Sequence, residues 1–126
     1  MNESKFTQSI MRKLPKEIYK WKIMNMMQNG VADSYFSGPA GDCWVEFKYI
    51  KAPKREDTLI KPKLSALQLK WLTERNHEGR NVALIIGSDI GCYIQPHPSF
   101  DKPINKRCLR FSNQQVVKWI ESQTIG

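Results

Sequence analysis

The stretch "VADSYFSGPAGDCWVEFKY", residues 31–49, constrains the fold more than any other part of this chain. Its two flanks are rich in aromatic and β-branched residues. Its centre, "SGPAGD" (37–42), is turn chemistry throughout. The pattern predicts strands over 31–36 and 43–49, joined as an antiparallel hairpin. Closing the hairpin across 37–42 sets Phe36 opposite Cys43, and the same register sets Asp33 opposite Glu46. Their Cβ atoms are then expected about 4.5–5.5 Å apart. Lys48 lies two residues beyond Glu46 and emerges on the same face of the pleat. Trp44 and Phe47 are left outside this group.

Two carboxylates this close repel each other unless a cation lies between them or one keeps its proton. Hard divalent ions such as Mg²⁺ take oxygen ligands, often one or two carboxylates plus substrate phosphate oxygens. A lysine beside them can orient a water and steady negative charge building on a phosphate. The group therefore reads as a hydrolytic site for a phosphodiester. The plainer reading is a solvated ion pair on a sheet face, worth little energetically. The first helix weighs against it. Phe6, Ile10 and Leu14 form a helical stripe in "NESKFTQSIMRKL" (2–14), and Glu3 sits at its end, three residues before Phe6. A carboxylate there asks for a partner, such as a metal site; the ordinary alternative is a helix-dipole residue.

Pro15 ends that helix. "EIYKWKIM" alternates, with Tyr19, Trp21 and Ile23 one way and Lys20 and Lys22 the other, as in a half-buried strand. "NMMQNG" is a connection with a turn signal at Asn29-Gly30. Residues 51–63 read as an exposed loop. Ser65 and Gln68 form a capping box for a second helix, with Leu67, Trp71 and Leu72 as its buried stripe and Gly79 as its stop. "NVALIIG" (81–87) is a buried strand and "CYIQP" (92–96) another. A loop follows, then a last helix opened by Ser112 and Gln115. The order is αβββαβ, with a short extra strand and a final helix. This is a single mixed α/β domain over 1–126, a central sheet flanked by helices.

The chain carries a net charge of +8, which favours a polyanionic partner. The loop "KAPKREDTLIKPK" offers Lys51, Lys54, Arg55, Lys61 and Lys63 against phosphates. A second run offers Lys102, Lys106, Arg107 and Arg110, suited to a separate duplex arm. Neither contains a base-reading motif, so little sequence readout is expected. Trp21, Trp71 and Trp119 are expected in the core or a dimer interface. His77 is read as a helix-end residue, and His97 as a loop residue near DNA. Cys43, Cys92 and Cys108 lack zinc or disulfide spacing and read as reduced thiols. With no signal peptide and no spanning apolar run, a cytoplasmic protein is expected.

The residues "GVADSYF…CWVEFKY" resemble the D-x(n)-E-x-K motif of the PD-(D/E)XK nuclease superfamily. From Glu3 to about Ser88 the chain is most similar to its VRR-NUC branch. The likeness runs through Glu3, "GVAD" (30–33), "VEFK" (45–48), "LSALQLKWL" (64–72) and "GRNVALII". It departs at Ala32, where the family usually has proline, a residue that shapes backbone and binds no metal. The resemblance implies a restriction-endonuclease-like core and a DNA endonuclease dependent on Mg²⁺ or Mn²⁺. Asp33, Glu46 and the Phe47 carbonyl would hold the metal, with Glu3 as a further ligand. Lys48 and Gln68 would complete the catalytic set, and no small-molecule cofactor is expected. Small stand-alone members, many from phages, are similar to Holliday-junction resolvases. That implies branched DNA as partner, a homodimer, and the host cytoplasm if phage-encoded. Two alternatives stay open: a non-catalytic nucleic-acid-binding module of the same fold, or a nuclease for nicked, flap or single-stranded DNA.

Overall fold

A computed structural model describes residues 1–23, 30–95 and 99–126. The connection through Asn29 and the reading of His97 lie outside the described residues. The elements are α1 (Glu3–Lys13), β1 (Tyr19–Lys22), β2 (Ser34–Gly38), β3 (Gly41–Ile50), α2 (Ala66–His77), β4 (Val82–Ser88), β5 (Tyr93–Gln95) and α3 (Asn113–Thr124). A 3₁₀ turn spans Lys106–Cys108. The five strands lie side by side in chain order. All neighbours are antiparallel except β3 and β4, which run parallel. A parallel step needs a crossover, and α2 supplies it. This is the mixed sheet flanked by helices that the sequence predicts.

The central strands are covered on both faces. Cys43, Val45, Phe47 and Ile85 pack with Phe6, Ile10 and Leu14 of the first helical segment and with Val116, Val117 and Ile120 of α3. Leu84 and Ile86 pack on the other face with Leu72 of α2 and with Phe100, Ile104 and Leu109. Coverage on both sides explains why "VALIIG" is an unbroken apolar run. Both capping boxes form, and Gly79 ends α2 at φ +85.

The hairpin has the expected register, Phe36 opposite Cys43. Its strands run further inward than the sequence suggests, to Gly38 opposite Gly41, leaving Pro39 and Ala40 as the turn. The end of α3 holds that turn: the Ala40 N–H donates to the Thr124 carbonyl at 2.7 Å. At its outer end β2 is shorter than expected, so Ala32 and Asp33 precede the ladder.

Three expectations are corrected. The aromatic side of β1 faces out: Tyr19 is 59 % and Trp21 47 % exposed. β1 is an edge strand, and among the described residues the main helix contacts with the sheet fall on β2, β3 and β4. Leu67 is also exposed, at 51 %, whereas Leu72 is buried. Leu67 and Leu72 are five residues apart, roughly 140° around the helix, so α2 buries Leu72 and leaves Leu67 outside. Gly30, at φ +84, packs against the α2 backbone, where a Cβ would stand 2.2 Å from the Leu67 carbonyl oxygen. Third, the two basic runs are not separate. Ile60 and Ile104 form an antiparallel bridge, with hydrogen bonds of 2.7 and 2.9 Å. Lys106 also donates to the Lys54 carbonyl at 3.4 Å. The runs form one surface.

Among the described residues no helix is long and apolar enough to cross a membrane. The three cysteines are free thiols. Burial pushes Cys43 up to about 12 and Cys92 to about 11, so neither is a ready nucleophile.

Candidate active site

Asp33 and Glu46 meet where the β2–β3 ladder stops. The last rung is Ser34 opposite Val45. Beyond it, side chains replace the ladder. The Asp33 N–H donates to Glu46 Oε1 at 3.2 Å, and the Phe47 N–H donates to Asp33 Oδ2 at 3.3 Å. The Ser34 hydroxyl donates to Asp33 Oδ1 at 2.9 Å. In antiparallel geometry the N–H and C=O of one residue face the same neighbour. The Phe47 carbonyl therefore faces the edge that Asp33 occupies. Two carboxylates and a carbonyl are hard oxygen donors of the kind that small divalent cations take.

Lys48 and Gln68 complete the cluster. Gln68 Nε2 donates to Glu46 Oε2 at 3.2 Å. Lys48 Nζ lies 3.5 Å from Glu46 Oε2 and donates to Gln68 Oε1 at 3.4 Å. The same Gln68 Oε1 accepts from the Ser65 N–H at 3.0 Å, and the Gln68 N–H donates to Ser65 Oγ at 3.1 Å. Gln68 thus serves the capping box and the carboxylate cluster together. The tight approach at Gly30 brings this first turn of α2 against the chain just ahead of Asp33.

Burial dominates the electrostatics. Glu46 is 3 % exposed. Its carboxyl is pushed up to about 8, first by burial and then by Asp33, against the pull of Lys48. The ion pair with Lys48 and this rise act in opposite senses, and the loss of water outweighs the lysine. Asp33 is raised to about 6, again mainly by burial, with Lys22, the Ser34 hydroxyl and the Phe47 N–H pulling the other way. Near neutral pH the pair tends to keep a proton unless a further positive charge arrives.

Glu3 stands apart. It is exposed in the first turn of α1, and its charge adds a smaller upward push on both carboxyls. Among the described residues no group of three or more His, Cys, Asp or Glu side chains is gathered closely enough to hold an ion. The structure therefore brings together Asp33, Glu46, Lys48 and Gln68, and leaves Glu3 at longer range. The sequence reading missed Ser34 and Lys22. Extending the hairpin register to β1 would have found them, because Lys22 pairs with Ser34 beside Asp33. It also wrongly set Trp44 apart: with Glu46 and Lys48 it shares one face of β3.

A cleft of about 470 Å³ opens just past Lys48, lined by Lys51, Lys61 and Lys63 with Tyr49 and Leu59. Arg107 and Arg110 line another, of about 440 Å³, by β5. Arg55 is engaged by Asp57 through two bonds of 3.2 and 3.0 Å, and Lys106 lies 3.9 Å from Glu56. Lys61 and Lys63 have no such carboxylate partner among the described residues, and Lys51 interacts through its charge with Asp89.

No protein-family model and no curated protein matches the sequence. A solved structure does match the fold: Hjc, a Holliday junction resolvase from the archaeal hyperthermophile Archaeoglobus fulgidus. This chain shares that fold. The TM-score is 0.58, over 92 % of this chain and 98 % of Hjc, with 12 % sequence identity. At that identity the likeness is one of architecture.

Proposed function

We propose that this chain is a divalent-metal-dependent DNA endonuclease of the PD-(D/E)XK type, VRR-NUC-like, acting on Holliday junctions or other branched DNA. One observation carries the reading: Asp33, Glu46, Lys48 and Gln68 converge in one corner of the sheet, next to a cleft of lysines. The fold shared with a protein named as a Holliday junction resolvase supports the choice of substrate.

Asp33, Glu46 and the Phe47 carbonyl would hold Mg²⁺ or Mn²⁺. When bound, such an ion polarises a phosphoryl oxygen and makes water a better nucleophile at neutral pH. Glu46 and Gln68 hold the Lys48 ammonium at the site, so it meets the phosphate without reorganising. It balances the negative charge that grows on the phosphate oxygens and orients the attacking water. Gln68, anchored at Ser65, fixes both Glu46 and Lys48. Glu3 adds negative charge that favours cation capture. Lys51, Lys61 and Lys63 grip phosphates alongside the scissile strand. With no base-reading element, recognition rests on DNA shape and backbone charge.

The test uses a supercoiled plasmid and a panel of labelled four-way, flap, nicked and single-stranded DNAs, each with Mg²⁺, Mn²⁺ or EDTA. Metal-dependent cutting strongest on the four-way junction is expected. Lys48→Ala and Asp33→Ala should abolish cutting and still bind the junction. Retained cutting in both variants would refute the site, and binding without any metal-dependent nicking would refute the activity.

A further inference from the structure

We propose that the outer edge of β5 takes up an extended segment of a partner protein in which acidic and apolar residues alternate. β5 ends the sheet on the side away from β1. On its outer side the chain makes one bridge, Cys92 with Phe111, through hydrogen bonds of 2.7 and 3.0 Å. That bridge is isolated, and no further rung follows it among the described residues. In an antiparallel strand the N–H and C=O of alternate residues face the same neighbour. Those of Ile94, two residues after Cys92, therefore turn to this same outer side. A strand edge left open in this way is where a peptide adds as a further strand.

The walls of that edge select the sequence it takes. Two clefts flank it and share Ile94 and Phe111. One, of about 440 Å³, is also lined by Tyr93, Arg107 and Arg110. The other, of about 360 Å³, is closed by Trp119 and Lys118 of α3. Tyr93 packs with the α2-side core and Ile94 with the α3-side core, so the first cleft opens toward one face of the sheet and the second toward the other. A strand added here sends successive side chains to opposite faces. One parity meets two arginines, and the other meets Ile94, Phe111 and Trp119. Arg107 and Arg110 are exposed, and no carboxylate of the described residues forms an ion pair with either. Arg110 lies 5.4 Å from the Phe111 ring centre. Lys118 is held by Glu121 at 3.6 Å, and no carboxylate lines either cleft.

Charge and face select the class of occupant. Acidic side chains answer the two arginines, and apolar ones answer the Trp119 cleft. A sugar-phosphate chain suits the arginines alone: it offers the strand edge no row of N–H groups and the apolar cleft no side chain. The apolar cleft also lies behind the carboxylate cluster. Ile94 continues the row Phe47–Ile85, whereas Glu46 and Lys48 share the opposite face of β3. A second copy of this chain, docked about a two-fold axis, would bring the same arginines toward each other. Docking of the peptide needs neither metal nor DNA, so it does not depend on the nuclease reading.

The test is fluorescence anisotropy of a short labelled peptide that alternates aspartate and valine around a central phenylalanine, titrated with the full chain in EDTA at physiological salt. Saturable binding in the micromolar range is expected. Arg107→Glu and Arg110→Glu should each weaken it about tenfold. The control Lys16→Glu makes the same change in net charge at an exposed position outside both clefts, and should leave binding nearly unchanged. Serine in place of the peptide's phenylalanine should weaken binding, and so should N-methylation of the peptide amides on alternate residues. Absence of saturable binding would overturn the proposal. So would equal losses in Lys16→Glu and the arginine variants, which would mean attraction by net charge alone. Full binding by both N-methylated registers would exclude strand addition and overturn it as well. Arginine variants that lose only binding to a labelled four-way junction would overturn it and make the first cleft a DNA contact.

Discussion

Glu46→Gln should make the protein more stable at alkaline pH and leave it little changed in acid. The carboxyl has an ordinary value of 4.5 and is raised to about 8 in the fold. Between those values the native chain holds a proton that the unfolded chain has released. Stability therefore falls as pH rises from about 4.5 to about 8, and the full loss is present above the folded value. A rise of this size corresponds to a loss on the order of 5 kcal/mol. Glutamine removes the charge at nearly constant shape. It cannot accept from both the Asp33 N–H and Gln68 Nε2, which costs about 1 kcal/mol. The net gain above pH 8 is then roughly 3–4 kcal/mol, or roughly 10–15 °C in melting temperature for a chain of this size. Near pH 5 the carboxyl is protonated in the native wild type, and the two proteins should melt within a few degrees of each other.

The assay is thermal unfolding from pH 5 to 9 in EDTA, for wild type and Glu46→Gln in parallel. The melting curves should diverge with rising pH. A constant difference across that range would refute the idea that burial and Asp33 hold Glu46 protonated. Excess Mg²⁺ or Mn²⁺ at high pH supplies the missing counter-charge, so it should raise the wild-type midpoint and leave the glutamine variant nearly unmoved.

Two further substitutions separate roles that the structure superimposes. Ser65→Ala removes the Ser65 hydroxyl cap at a cost of about 1 kcal/mol while leaving the Gln68 amide on Glu46, whereas Gln68→Ala keeps that cap, which the residue-68 backbone N–H donates, and removes the amide from both the Ser65 N–H and Glu46; melting should fall in both variants and DNA cutting only in the second, and equal loss of cutting would refute the dual role. Gly87→Ala would set a Cβ 2.5 Å from the Phe6 ring under α1, an overpacking worth about 1–3 kcal/mol; an unchanged melting temperature would mean that α1 does not press on β4 as described.

Much of the site was legible because a hairpin's register follows from its turn. Once Phe36 faces Cys43, parity carries Asp33 to Glu46 and Lys48 to the same face, with no knowledge of the rest of the sheet. Gln68 was legible twice, as the third residue of a capping box and by family likeness, and one side-chain amide serves the cap through Oε1 and reaches Glu46 through Nε2. Failures came where a face depends on what covers it. Alternation in "EIYKWKIM" fixes which residues share a side, but not which side meets protein; Tyr19 and Trp21 are exposed on an edge strand, away from the main helix contacts of the described residues. Leu67 was grouped with Leu72, yet five residues put them roughly 140° apart on α2, and the side that meets the core is Leu72's. The union of the two basic loops depends on Ile60 meeting Ile104, a contact across more than forty residues that no local pattern encodes.

The position of Asp33 explains why the site sits where it does. The Asp33 carbonyl accepts from the Ile23 N–H at 2.7 Å, so its backbone is turned to the β1 side, and the rungs to β3 end one residue later, at Ser34. With no β2–β3 rung here, the Asp33 N–H and the Phe47 N–H bind the two carboxyl groups, at 3.2 and 3.3 Å. Yet both carboxyls remain above their ordinary values, so these bonds do not balance the cost of burial. The fold thus buries two carboxyls whose charge Lys48, at 3.5 Å from Glu46, does not fully offset, and a further positive charge in this corner would favour their ionised forms.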